Sequence, residues 1–325
     1  SVMCIRDRSW GMRLWWGSRD LPSVLGRHLP RIVSGLAKKR ALDRRMAGAG
    51  EAPHPGPGMM PRTPLNQSLS YGRTFVCDSM PLERFKRVSK GLGVTINDVF
   101  LCCAAGTLRR LLQDAGFDAD SQPLVGGTPF AGSRPEGYEG VGNFATVDYC
   151  WVHSEIEDPL ARLQASHQSA KQMKAHLSAV REAGADLSSL LQICPPWVMG
   201  GIRWHINRQQ GGFGLFGNVL LSNVPGPREP LYFNRYKLDG WYSTGQVFDG
   251  SCINMTLWSY CQDANLCILA DERVLWDGWV AYDYFVEELD ALCACLPHAG
   301  GSAGVGVGEA GGDAEGKAPP GSAAC

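Results

Sequence analysis

The sequence predicts a layered α/β sandwich around a mixed, largely antiparallel sheet. Three observations predict it. The elements run strand, helices, strands, helices, then a series of hairpin-linked strands and one closing helix. The apolar run Val219-Leu220-Leu221 suits a strand covered on both faces, and Ser222-Asn223-Val224-Pro225-Gly226-Pro227 ends it abruptly. No GxGxxG follows a strand and no GxxxxGK[ST] occurs, which argues against a doubly wound nucleotide-binding fold.

The chain has 325 residues, of which 44% are hydrophobic, enough for one large domain or two ordinary ones. A net charge of −1 argues against bulk electrostatic binding to nucleic acid. The charge is uneven, since residues 1–50 carry eleven Lys or Arg against three Asp. No run of 18 apolar residues exists to span a membrane. The twelve Cys show neither CxxC nor metal-type Cys/His spacing, and Cys102, Cys103 and Cys267 sit inside apolar patterns. This composition predicts a reduced, intracellular protein, cytoplasmic or peripheral on a membrane.

The chain opens SVMCIRDRSW, without Met at position 1. Its first eight or so residues are expected to be read-through or the remnant of an upstream truncation, and are set aside. Residues 21–46 form a basic, partly helical segment with a ragged apolar stripe broken by Pro30. It reads as a crossover helix or linker with a solvated face, or as a stretch lying on a membrane surface. Residues 47–64 are rich in Gly and Pro and read as a linker. The expected organisation is a basic segment and linker over 1–61, a folded domain over 62–297, and a disordered Gly/Ala-rich tail over 298–325.

Within the folded region, SLSYGRTFVCD (68–78) predicts a strand that buries Leu69, Tyr71 and Phe75. Pro81 opens a helix whose Leu82, Phe85 and Val88 share a face, with Gly91 and Gly93 marking its end. Thr95 with Asp98 is a capping-box pattern, and helical spacing then continues through Leu112. Asn97 and Asp98 in that first turn have an ordinary reading as cap and dipole partner. Strands follow at 123–130 and 144–152, joined by a glycine-spaced loop carrying Arg134 and Asn143. Asp158-Pro159 starts a long helix, on which His167 reads as a packed or surface histidine, because no second ligand sits at i+3 or i+4. Residues 186–208 hold one or two helices interrupted at Pro195-Pro196. Strands are then predicted at 237–248, 252–260 and 265–270, with hairpin connections at Asp249-Gly250 and Gln262-Asp263-Ala264. A helix from Trp279 to Leu296 closes the domain. Ser222 and Asn223 carry two readings. Either they satisfy turn backbone groups, or a buried strand aims them at a fixed point.

Six stretches in order then carry a resemblance: TPLNQSLSYGRTF, LGVTINDVFL, the GSR at 132–134, GN at 142–143 with DPLARL at 158–163, NVLLSNVPGPREPLY, and SY at 259–260. Over residues 62–296 the chain resembles the C-terminal half of bacterial-type wax ester synthase/diacylglycerol acyltransferases. The resemblance implies a chloramphenicol-acetyltransferase-like sandwich, as in the wider CoA-dependent acyltransferase superfamily. It implies acyl transfer from acyl-CoA, a co-substrate rather than a resident cofactor, to a fatty alcohol or diacylglycerol. That chemistry needs a base for the hydroxyl proton and donors for the oxyanion. In the family the base belongs to an HHxxxDG motif in the N-terminal half. The seven histidines here are isolated and none precedes xxxDG, so no catalytic residue is assigned. The chain is therefore expected to be a fragment whose partner is the missing N-terminal half, or a non-catalytic acyl- or lipid-binding homologue. As channel residues the resemblance points to Asn97, Asp98, Arg134, Asn143, Ser222 and Asn223. One departure is Cys261-Gln262, where family members usually follow SY with Asp-Gly.

Overall fold

The computed structural model of the chain describes residues 53–56, 59–131, 145–182 and 216–296, with isolated helical positions between 33 and 45 and at 201 and 204. The expectations for the rest of 1–52, for 132–144, for most of 186–208 and for the tail lie outside the described residues.

Strand β1 (Arg73–Pro81) leads into α1 (Leu82–Leu92) and α2 (Ile96–Asp114). Then come β2 (Leu124–Ala131), β3 (Ala145–Val152) and α3 (Pro159–Glu182). Strand β4 (Val219–Val224) is followed by the short β5 (Tyr232–Phe233) and β6 (Tyr236–Lys237). The hairpin β7 (Ile253–Tyr260) and β8 (Asp263–Asp271) precedes α4 (Gly278–Ala294). One six-stranded sheet has the order β1-β8-β7-β4-β2-β3. Strands β2, β4 and β7 are mutually parallel, and the outer pairings β1·β8, β8·β7 and β2·β3 are antiparallel. This is the mixed α/β sandwich that the sequence predicts, with β4 at its centre.

The helices form one layer. Helix α2 is buried nearly all round, so its apolar pattern is wider than a stripe. Phe100 of α2 meets Phe285 of α4 at 6.0 Å between ring centroids, and Phe85 of α1 meets the same ring at 6.4 Å. Cys102 and Cys103 are fully buried here, and burial pushes the Cys102 thiol up to about 12. They pack as small hydrophobes.

Two helix ends follow from local chemistry. Gly93 closes α1 at φ 69°, a left-handed conformation that favours glycine, and its N–H bonds the carbonyl of Ser89. The α2 capping box is present in both directions. Thr95 Oγ1 accepts from Asp98 N at 3.3 Å, and Asp98 Oδ2 accepts from Thr95 N at 2.8 Å.

Three strand expectations are corrected. The first strand, expected at 68–78, runs Arg73–Pro81 and buries Val76 and Met80 while Phe75 is exposed; Tyr71, also exposed, precedes it. β1 is an edge strand, and a one-residue change of phase turns the other set of side chains outward. The predicted strand at 237–248 reduces to Tyr236–Lys237, paired with β5, plus an isolated Phe248–Ser251 bridge. Between them the backbone bonds side chains of the sheet instead of a ladder. Trp241 O accepts from Asn265 Nδ2 at 2.8 Å, and Gly245 N donates to Asn254 Oδ1 at 3.3 Å. The β7–β8 turn is Cys261-Gln262, one residue earlier than expected, with Cys261 at φ 53°. Cys261 occupies the left-handed region at the place where the family usually has Asp-Gly, a pair suited to it.

Candidate functional site

The site is built where β4 runs out. Its side chains alternate, so Leu221 and Asn223 face the helices while Leu220 and Ser222 face the other side. Asn223 reaches the first turn of α2, where its Nδ2 donates to Asn97 Oδ1 at 3.5 Å. The structure thus brings together two residues that are 126 positions apart in sequence.

The Pro225-Gly226-Pro227 turn then lies against the end of β7. Gly226 N donates to Ser259 Oγ at 3.0 Å, and Pro227 O accepts from Cys261 N at 2.9 Å. A side chain at Gly226 would meet Ser259 O at 2.0 Å, so only glycine allows this approach. Beside the turn is a cleft of about 640 Å³. Its lining includes Asn223, Leu257 and Ile96, Lys86 and Lys90 of α1, and Arg228 just after the turn.

Asp98 has a different position. It is 1% exposed and, besides closing the capping box, holds His167 Nδ1 of α3 at 2.7 Å. It fastens the start of α2 to α3 and does not line the cleft. His167 does sit near the surface, 41% exposed, and its carboxylate partner comes from another helix. Arg134 and Asn143 lie outside the described residues.

Ser222 belongs to the opposite face of the sheet. In register it lies beside Thr256 of β7, and Leu220 lies beside Asn254. Thr256 and Asn254 are buried, and Thr256 Oγ1 donates to Asn254 Oδ1 at 2.9 Å. Asn265 of β8 extends this polar band and accepts from Ser79 at 2.7 Å. Asn254, Thr256 and Asn265 went unnoticed in sequence because each sits singly in an apolar strand. The alternation in CINMTLWSY was the available signal, since every second residue leaves the helix-covered face.

A second cluster was also invisible in sequence. His54, Asp148 of β3 and His176 of α3 meet at the far edge of the sheet. Asp148 Oδ1 lies 2.8 Å from His54 Nε2, and Oδ2 lies 3.1 Å from His176 Nδ1. The two imidazole rings stack at 3.6 Å. Burial alone would raise the Asp148 carboxyl, but hydrogen bonds and charge from His176 and His54 outweigh it and hold the group well below the usual carboxylate range. Three ligand atoms within 4.8 Å of one another have the composition of a metal site. Both carboxylate oxygens already face imidazole nitrogens, so the contacts are also those of an internal ion pair.

Comparison with known proteins identifies the class that this fold and site define. The wax ester synthase/diacylglycerol acyltransferase catalytic-domain family matches residues 6–100, and the WS/DGAT C-terminal domain matches 141–293. The catalytic-domain match thus begins within the first eight residues, which the sequence reading set aside, and takes in the basic segment and the linker. A Mycobacterium tuberculosis protein named as a diacylglycerol O-acyltransferase is 40% identical over 269 residues, covering 82% of this chain and 56% of that protein. An O-acyltransferase of Acinetobacter baylyi is 33% identical over 211 residues, covering 65% of this chain and 44% of that protein. The solved wax ester synthase/diacylglycerol acyltransferase of Marinobacter aquaeolei superposes with a TM-score of 0.55 at 25% identity, covering 79% of this chain and 56% of that one.

The chain belongs to the wax ester synthase/diacylglycerol acyltransferase family. It spans about half the length of the relatives it matches. Among the described residues no single helix is long and apolar enough to cross a membrane. Helices α1 and α2 are long and apolar enough only when taken together, and they are bent by 104° at their junction.

Proposed function

We propose that this chain supplies the acyl-CoA-binding wall of an O-acyltransferase that moves a fatty acyl group to a fatty alcohol or diacylglycerol. The observation that supports this reading is that Asn223, which lines a cleft of about 640 Å³, meets Asn97 at the start of α2. Side-chain amides fixed between a central strand and a helix start can donate to an acyl carbonyl as charge develops on its oxygen. The Asn97 and Asn223 amides serve this role on the helix side, while Ser222 offers its hydroxyl on the opposite face of the sheet. Asp98 is a positioning residue that keeps the α2 start in place. The proton acceptor is not among these groups. It comes from an HHxxxDG segment of the kind the family carries in its N-terminal half, which acts as the partner of this chain at a membrane or lipid-droplet surface.

The test is acyl transfer measured with this chain alone and with the chain joined behind the N-terminal part of the Acinetobacter baylyi relative that it does not match. The joined protein is expected to turn over and the chain alone is not. In the joined protein, Asn223→Ala is expected to lower transfer about tenfold or more, the scale of losing one oxyanion donor. Turnover by the chain alone would place a base among the residues present and overturn the reading. An unchanged rate with a lower melting temperature would reduce Asn223 to a turn residue.

A further inference from the structure

Resting on that reading, we infer that Lys86, Lys90 and Arg228 form a phosphate-reading wall that recognises the nucleotide end of acyl-CoA. Lys86 and Lys90 are one helical turn apart on α1, so they project from the same face. Phe85 and Val88 are buried on the adjoining face of α1, and Leu82, one turn before Lys86, is buried and lines the same cleft, so the two lysines stand at its edge. Arg228 follows the Pro225-Gly226-Pro227 turn on another side of the same cleft.

Three cations therefore line the cleft against one carboxylate, Glu83. Among the described residues none of the three has an ion-pair partner, whereas Arg84, Arg109, Arg110 and Arg162 all do. Lys90 has an ordinary explanation in the last turn of α1, where a cation suits the helix dipole. Lys86 lies mid-helix and Arg228 in a loop, so that explanation covers neither. The lining brings apolar side chains, Leu257 and Ile96, and the Asn223 amide together with these unpaired cations. Acyl-CoA carries the matching groups, an uncharged thioester arm and phosphates. Paired charge-assisted contacts to phosphate are the strong kind, and a guanidinium adds a bidentate option.

The experiment is calorimetric titration of the whole chain with CoA, 3′-dephospho-CoA and pantetheine. Wild type is expected to bind in that order of strength, with affinity falling as salt rises. Lys86→Ala with Lys90→Ala is expected to weaken CoA by about tenfold or more while leaving pantetheine unchanged. Lys86→Arg with Lys90→Arg is expected to restore most of the loss, which a folding defect would not allow. Phosphatidylglycerol vesicles offer phosphates on a bilayer and are expected not to compete with CoA. Equal CoA affinity in wild type and the double alanine variant overturns this inference alone, as does competition by the vesicles. Failure of wild type to bind both CoA and pantetheine overturns it together with the acyltransferase reading.

Discussion

The two faces of the sheet use polar residues in opposite ways. On the helix-covered face, buried polar groups are paired and fasten elements together. Arg162 of α3 is 1% exposed, contacts Glu288 of α4, and donates to the carbonyls of Ile156 and Glu157. Asp98 ties α2 to α3, and Asp148 ties His54 to His176. On the other face, Asn254, Thr256 and Asn265 are buried and likewise bonded, to each other or to the 241–245 backbone, but the neighbouring Ser222 is half-buried and its hydroxyl has no hydrogen-bond partner among the described residues. The difference teaches that burial alone does not mark function here. A buried charge with a partner from another helix holds the fold, while an uncharged polar group at the end of a central strand is left available for a ligand.

The largest break in this comparison is Arg162→Ala. It leaves Glu288 buried without its cation, and burial already raises that carboxyl. A loss of about 3–5 kcal/mol in denaturant unfolding is expected. Asp98→Ala comes next, with about 1–3 kcal/mol lost through the capping box and the His167 contact. Asp98→Asn is expected to recover part of that loss, because it can still accept from Thr95 N.

The Asp148 cluster sharpens the contrast through pH. Its folded carboxyl lies below the unfolded value, so the stability it adds is present above about pH 4 and is lost as pH falls through that range. Asp148→Asn is therefore expected to flatten the decline in melting temperature between about pH 5 and pH 3. A parallel decline in both proteins would show that the carboxylate gains nothing from its imidazoles. The smallest effect on stability is expected from Ser222→Ala, within about 0.5 kcal/mol. In the protein joined to an HHxxxDG half, the same change is expected to lower acyl transfer measurably. A loss of stability without a loss of transfer would move Ser222 to the structural side of the comparison.

What could be read in sequence was the local chemistry. The Thr95–Asp98 box, the Val219–Val224 strand and the helix from Pro159 all rest on neighbouring residues, and each appears in the structure. What could not be read depended on distance or phase. Asp98 meets His167 across 69 positions, and His54 meets His176 through a shared carboxylate. No spacing rule connects such pairs. Phe75 was misplaced because an edge strand with apolar residues in both phases gives no alternation to decide by, and Tyr71 because the strand starts two residues after it. Segment 237–248 looked like a strand, yet its backbone is satisfied by Asn254 and Asn265, which only the folded sheet supplies. The joining of Asn97 to Asn223 was similarly hidden, although each residue could be singled out by itself.

The account depends most on acyl-CoA occupying the cleft between α1 and the Pro225-Gly226-Pro227 turn. Hydrogen–deuterium exchange of this chain with and without a long-chain acyl-CoA tests that directly. The account predicts slowed exchange confined to peptides spanning 82–90 and 223–228. Unchanged exchange in both peptides, or protection only at the β3 edge, would contradict it.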